Sequence, residues 1–336
     1  MEFRIKIIIL IFISLIFSIF VSLILGSINI SFSDFFYALF KENEVNHKII
    51  FDIRLPRVLN AILVGASLSC SGLILQSLLK NNLAEPGLLG ISASAGLGAI
   101  CIFLLPFSIP FYFITPVSFI FALVVTYVVY FVAKGLNYKY TNFISSNKII
   151  LAGIAINALL SSINGFLLLI SGNNASQILF WLSGGLSGRG WNEFLMTFIF
   201  VIIGIISSLI FSKELNILGL GDELALSLGL NLKVTQRIAI ILASFLAASA
   251  VSVAGILSFI GLIIPNLSKI IIGYDYKYSM PCTILLGALF MVVADTISRL
   301  IIAPAEIPAG IIVSFFGAPV FIWLLVKQNS YRNETL

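Results

Sequence analysis

Apolar runs long enough to cross a bilayer recur along the whole of this chain. A helix needs about 20 predominantly apolar residues to traverse the hydrocarbon core. Such runs lie at about 5–26, 56–79, 87–106, 111–133, 149–171, 194–212, 238–257, 259–273, 281–302 and 310–327. Lipid offers no partner to a backbone amide, so runs of this kind must satisfy their amides internally, as helices do. Only 10% of the 336 residues are charged, against roughly a quarter in soluble domains. No separate soluble domain fits, and residues 1–336 read as one all-α, polytopic membrane domain of about ten transmembrane helices. The runs 238–257 and 259–273 are parted by a few residues around Gly255 and are counted as two spans, with one hairpin or one bent element as alternatives. Pro265 interrupts the second of them.

The first run follows a basic start and holds apolar residues from Ile7 to Leu25. It lacks the small-residue cleavage site of a signal peptide and is read as a span. Segments 27–54 and 172–193 are too polar to cross. The first predicts an interfacial helix with Ser33 as N-cap, and the second a short amphipathic helix carrying Phe180 and Trp181. Segment 213–237 does not cross either. With ten spans and an internal N-terminus, 13 basic residues, Lys139 among them, fall inside and 6, Lys41 among them, fall outside. The positive-inside rule then predicts both termini in the cytoplasm, and 27–54 and 172–193 on the outer face. The basic residues stand singly, so the formal charge of +5 is no nucleic-acid signal.

Enzymatic chemistry has little to stand on. No G-x-x-x-x-G-K-[ST] phosphate loop occurs, His47 is the one histidine, and no metal-ligand cluster is visible. Cys70, Cys101 and Cys282 lie in apolar runs without paired spacing, as small buried hydrophobes do. The stretch 52–98 is richer. Arg54 and Arg57 flank Pro56, and small residues follow four apart, at Ala61, Gly65 and Ser69 and again at Gly90, Ser94 and Gly98. Such stripes let helix backbones approach closely in lipid. Between them the polar break with Asn81, Asn82 and Glu85 must sit within protein or at a water-facing end.

These residues, read as RLPR, SGLILQ, NNLAEPGLLG and the small-residue helix after them, resemble the FecCD-type permease subunits of ABC importers for iron chelates and vitamin B12. Further blocks resemble the same family: LAGIAINAL from 151, FWLSGGLSGRGW from 180, GDELALSLGLN from 221, SVAGILSFIGLIIPNLSKI from 252 and AEIPAGIIVSFFGAPVFIWLL from 305. Together they reach from about residue 52 to the end. Departures stand at Asn82, where proline is usual, and at Asn266 and Lys269, where histidine and arginine are common.

The resemblance implies a vitamin B12 importer permease-like fold and a permease of the bacterial inner membrane that works with a second copy or a close paralogue. It further implies an ABC ATPase that binds ATP and magnesium, and a periplasmic or surface-tethered substrate-binding protein. No cofactor is expected in this chain. Gly221, Glu223, Ala225, Leu228 and Gly229 would contact the ATPase. Asp222 would cap that helix, with Leu224, Ala225 and Leu228 as its apolar side; a helix anchored among lipid headgroups would look the same. Arg54, Arg57 and Arg299 would receive acidic side chains of the binding protein. Snorkelling to headgroups is the ordinary alternative, and Asp295 four residues before Arg299 would pair with it. Asn81, Leu83, Ser146 and Asn147 would form a cytoplasmic gate, or simply cap helix ends. Glu306, between Pro304 and Pro308, is expected to tie down backbone amides at a helix break. The cargo would be a ferric siderophore or haem, with cobalamin as the alternative. An ion-coupled secondary transporter is the competing class; it predicts midplane carboxylates and unwound spans.

Overall fold

A computed structural model describes residues 2–26, 28, 30–40, 44–106, 109–135 and 145–333. Lys41, Lys139 and the centre of the loop after residue 135 lie outside them. All regular structure among the described residues is helical. Among the described residues seven helices are long and apolar enough to cross a membrane, and three shorter apolar ones accompany them, close to the ten runs expected.

The long helices are α1 (Glu2–Ile24), α4 (Leu55–Leu79), α6 (Ile114–Lys134), α7 (Ser146–Ile170), α9 (Trp191–Ile210), α12 (Leu232–Ala254) and α14 (Tyr276–Leu300). The shorter apolar ones are α5 (Ile91–Phe103), α13 (Ile260–Ile272) and the apolar part of α15 (Ala309–Asn333). Five small helices lie between them among the described residues: α2 (Phe32–Leu39), α3 (Glu44–Lys48), α8 (Ala175–Leu182), α10 (Ser212–Gly219) and α11 (Asp222–Ser227), the last two joined by a turn at Gly221.

Helix α4 is the axis. In its most apolar window 89% of residues are buried, against 11% for α7. The small-residue stripe explains how α4 is enclosed. A Cβ on Gly65 would strike the Gly287 carbonyl of α14, and one on Gly72 would strike the Gly261 carbonyl of α13. Backbone therefore meets backbone on two sides, which gains dispersion contact where no hydrophobic force acts between helices.

Two sequence expectations are revised here. The interfacial helix α2 is capped by Ser31, whose hydroxyl accepts from the Asp34 amide at 3.1 Å, so the cap lies two residues before Ser33. The last part of segment 27–54, read above as lying outside the second span, is continuous with that span's helix. Helix α3 continues through a π-helical stretch, Ile49–Arg54, directly into α4. Polar composition hid this extension.

Helices α5 and α13, each 13 residues, are only about 20 Å long and cannot cross alone. Each is completed by a stretch without α-helix, 80–90, which holds the 3-10 turn Pro86–Leu89, and 255–259, and these two stretches meet. The Phe259 amide donates to Glu85 Oε2 at 3.3 Å, Gln76 Nε2 donates to the Leu262 carbonyl at 3.2 Å, and Asn266 Nδ2 donates to the Asn82 carbonyl at 2.9 Å. The polar break thus lies in protein, as required.

Candidate functional site

The candidate residues gather at two ends of the bundle. One begins at Arg54 and Arg57, the start of α4, where α1 and α14 end. All three arginines singled out in the sequence are buried there: Arg54 is 4% exposed, Arg57 7% and Arg299 3%. Arg54 donates to the Leu23 and Ile24 carbonyls at 2.7 and 2.6 Å, and to that of Ile28. It serves the orphan carbonyls that a helix C-terminus leaves. Arg57 divides its fork. Its Nε and Nη2 reach Asp295 at 2.9–3.1 Å, and Nη1 reaches both oxygens of Glu306 at 2.9 Å. Arg299 Nε stands 3.3 Å from Asp295 and Nη2 donates to Ser22 Oγ at 2.6 Å.

The expected Asp295–Arg299 pair is therefore present, but Asp295 lies closer to Arg57. Glu306 holds Arg57 rather than backbone amides. The result is a compact set of two guanidinium and two carboxylate groups whose charges cancel. A buried charge is tolerable only in such company. Burial, the largest single influence, pushes the Glu306 carboxyl up, but the charge and hydrogen bond of Arg57, the Ser187 hydroxyl and the charge of Arg299 together outweigh it, so the group titrates below the ordinary glutamate range.

At the opposite end, α10 and α11 form the connection between α9 and α12. Residues 232–237, included in the non-crossing segment above, are the first turns of α12. Asp222 does not cap α11. Gly221 takes that place with φ of 113°, Asp222 is the first helical residue, and its carboxylate pairs with Lys80 Nζ at 2.6 Å. The helix stops in a Schellman turn: Gly229, φ 81°, donates to the Leu226 carbonyl at 2.9 Å and Leu230 to that of Ala225 at 3.0 Å. Ala225 is fully buried, whereas Leu220, Leu224 and Leu228, spaced four apart, are each more than half exposed. The apolar side expected in the sequence is thus split, with Ala225 facing inward and the leucines outward. Glu223 is exposed beside them.

The proposed gate residues share this end. Asn81 Oδ1 accepts from the Leu83 amide at 2.9 Å, which fixes the turn after α4. Ser146, at the start of α7, approaches the Leu78 carbonyl at 3.4 Å. Leu83 and Asn147 are exposed. Nearby, Asp275 caps α14; the Asn216 side-chain amide, at 3.0 Å, is the largest influence holding its carboxyl below the usual range.

Between the ends, a groove runs along the uncovered face from α7 to α15. One part, about 430 Å³, is lined by Glu85, Ser92, Asn157, Ser161, Asn164 and Ser258 among others. A second part shares Leu182, Ile256 and Ser258 with it and adds Ser183 and Ser314. Neither contains a lysine, arginine or histidine. Glu85 was read only as part of a polar break; its place in this groove depends on α7, about which the local sequence is silent. Among the described residues no cluster of three or more metal-ligating side chains occurs.

The model of the FecCD transport family matches residues 14–327. The hemin transport system permease protein HmuU of Yersinia pestis is 36% identical over 314 residues, which covers 92% of each chain. The cobalamin import system permease protein BtuC of Halobacterium salinarum is 35% identical over 282 residues, 84% of this chain and 74% of its own. A solved inward-facing ABC transporter of metal-chelate type superposes with a TM-score of 0.85 at 30% identity, covering 96% of this chain and 99% of its own.

Proposed function

Because this chain belongs to the FecCD transport family, we propose that it is the membrane permease of an ABC importer that carries an iron chelate, a ferric siderophore or haem, into the cytoplasm. The observation that carries this reading is the polar groove. A carboxylate, two asparagines and several serines on the open face of membrane helices are costly against lipid. They are at home against water and a second permease. Two copies facing each other across α7 and α15 would enclose a pathway, and the broken spans beside Glu85 supply elements able to shift between two arrangements.

In this account the α11 end is cytoplasmic. Leu220, Leu224 and Leu228 enter a groove on a separate ATPase, while Gly221 and Gly229 set the limits of the inserted knuckle and Glu223 and the buried Ala225 complete it. ATP and magnesium act on that partner, and no covalent chemistry belongs to this chain. Asn81, Leu83, Ser146 and Asn147 close the pathway at this end. The Arg57 end faces outward and meets the soluble binding protein, with Arg54, Arg57 and Arg299 as its charged foundation. Unwound spans also suit an ion-coupled carrier, but relatedness over nearly the whole chain favours the ABC class. Cobalamin is the alternative cargo.

Uptake of labelled ferric siderophore, haemin and cobalamin into proteoliposomes holding the permease, its ATPase and its binding protein tests the proposal. ATP-dependent entry of one iron chelate is expected. Entry of cobalamin alone would correct the cargo, and ATP-independent entry would sink the class.

A further inference from the structure

Four arginines lie toward the Arg57 end, and three are already engaged with carbonyls, hydroxyls or carboxylates. Arg189, in the segment between α8 and α9, is different. It is 6% exposed, yet its Nε and Nη1 have no hydrogen-bond partner among the described residues. The neighbouring carboxylate of Glu193 accepts from the Gly190 amide at 2.8 Å; it lies beyond ion-pair contact with Arg189, although its charge favours the guanidinium, against the larger effect of burial. What faces the guanidinium is the Phe111 ring, 5.3 Å from Cζ. Trp181, 4% exposed, likewise has an indole N–H with no partner.

Both residues border one half-open cavity of about 270 Å³, together with Phe111, Gln177, Phe180 and Ser187. Buried donors without acceptors are rare, and each calls for a missing group. The planar fork of arginine matches a carboxylate. The volume is below the usual 300–1,000 Å³ of small-molecule pockets, so it suits the tip of a side chain better than a chelate. An aromatic wall around a desolvated arginine is the make-up of an interface hot spot. Ser187 connects the cavity to the ion cluster, because its hydroxyl also reaches Glu306.

We propose that Arg189 and this cavity receive an acidic side chain of the soluble protein that delivers cargo to the Arg57 end. The inference rests on the importer reading above. It adds a contact that the resemblance did not include, and one whose donors are free before docking.

The test is titration of the binding protein onto the permease–ATPase complex in nanodiscs. Arg189→Met, which removes the unmatched donors, is expected to leave the complex folded while weakening docking by about 30-fold or more. Gln177→Glu, at an exposed rim position, places a competing carboxylate beside Arg189 and is expected to weaken docking too, most strongly at low salt. Unchanged docking in both variants overturns the proposal. So does a lowered midpoint with unchanged docking in Arg189→Met, which makes Arg189 purely structural. Millimolar acetate or citrate that stabilises wild type but not Arg189→Met, with docking unaltered, overturns it in favour of a small anion. If the binding protein does not associate with the wild-type complex at all, the importer reading itself fails.

Discussion

Asp295 is where single-residue chemistry matters most. It is 1% exposed and stands against both Arg57 and Arg299. Removing one member of a buried ionic set leaves the others uncompensated and costs about 3–5 kcal/mol. Asp295→Asn should therefore lower the thermal midpoint in detergent. Transport per folded molecule should survive, whereas an ion-coupled carrier relying on this acid would lose it with the fold intact. Glu306 sets a pH dependence. Its folded pKa lies below its ordinary value, so its contribution to stability is complete above that ordinary value and is lost as pH falls through the lowered one. Unfolding midpoints followed from neutral to acid pH should drop less steeply in Glu306→Gln than in wild type. The two acids were not equally readable. Arg299 is four residues from Asp295 and was named in advance, but Arg57 is 238 residues away, and only the packing of α4 on α14 reveals it. Arg54 likewise finds its carbonyls about 30 residues back, in a helix whose end no local pattern ties to it.

Helices follow the sequence more closely than contacts do. The apolar runs marked α1, α4, α6, α7, α9, α12 and α14 because lipid imposes a length on each. The stripe Ala61, Gly65, Ser69 marked a close-packing face, and Gly65 does meet Gly287 backbone to backbone. Gly65→Ala should be costly, since neither helix can yield without moving others; overpacking of this kind costs about 1–3 kcal/mol or more, readable as a lowered midpoint. The broken elements were less legible. Their 13 α-helical residues merge with flanking apolar residues that are not α-helical, and the mutual satisfaction of 80–90 and 255–259 is long-range. In the α10–α11 connection, composition revealed an amphipathic helix but not that Lys80 would claim Asp222. Leu224→Asp combined with Leu228→Asp should leave the fold intact, because both side chains are exposed, and weaken ATPase association by at least about tenfold, measured by co-purification or titration.

At the scale of the molecule, the proposed importer assigns partners to surfaces this chain leaves open: the polar groove to a second permease, and the exposed Leu220, Leu224 and Leu228 to an ATPase. The sequence itself holds no phosphate loop for ATP. The account therefore stands on force arriving through the α11 connection from another subunit. The most direct measurement is uptake of labelled iron chelate into proteoliposomes containing binding protein and ATPase, comparing wild type with the Leu224→Asp, Leu228→Asp variant. The account predicts uptake that requires ATP and is lost in the variant while the permease remains folded. Equal uptake by both, or uptake driven by an ion gradient in vesicles lacking the ATPase, would contradict it.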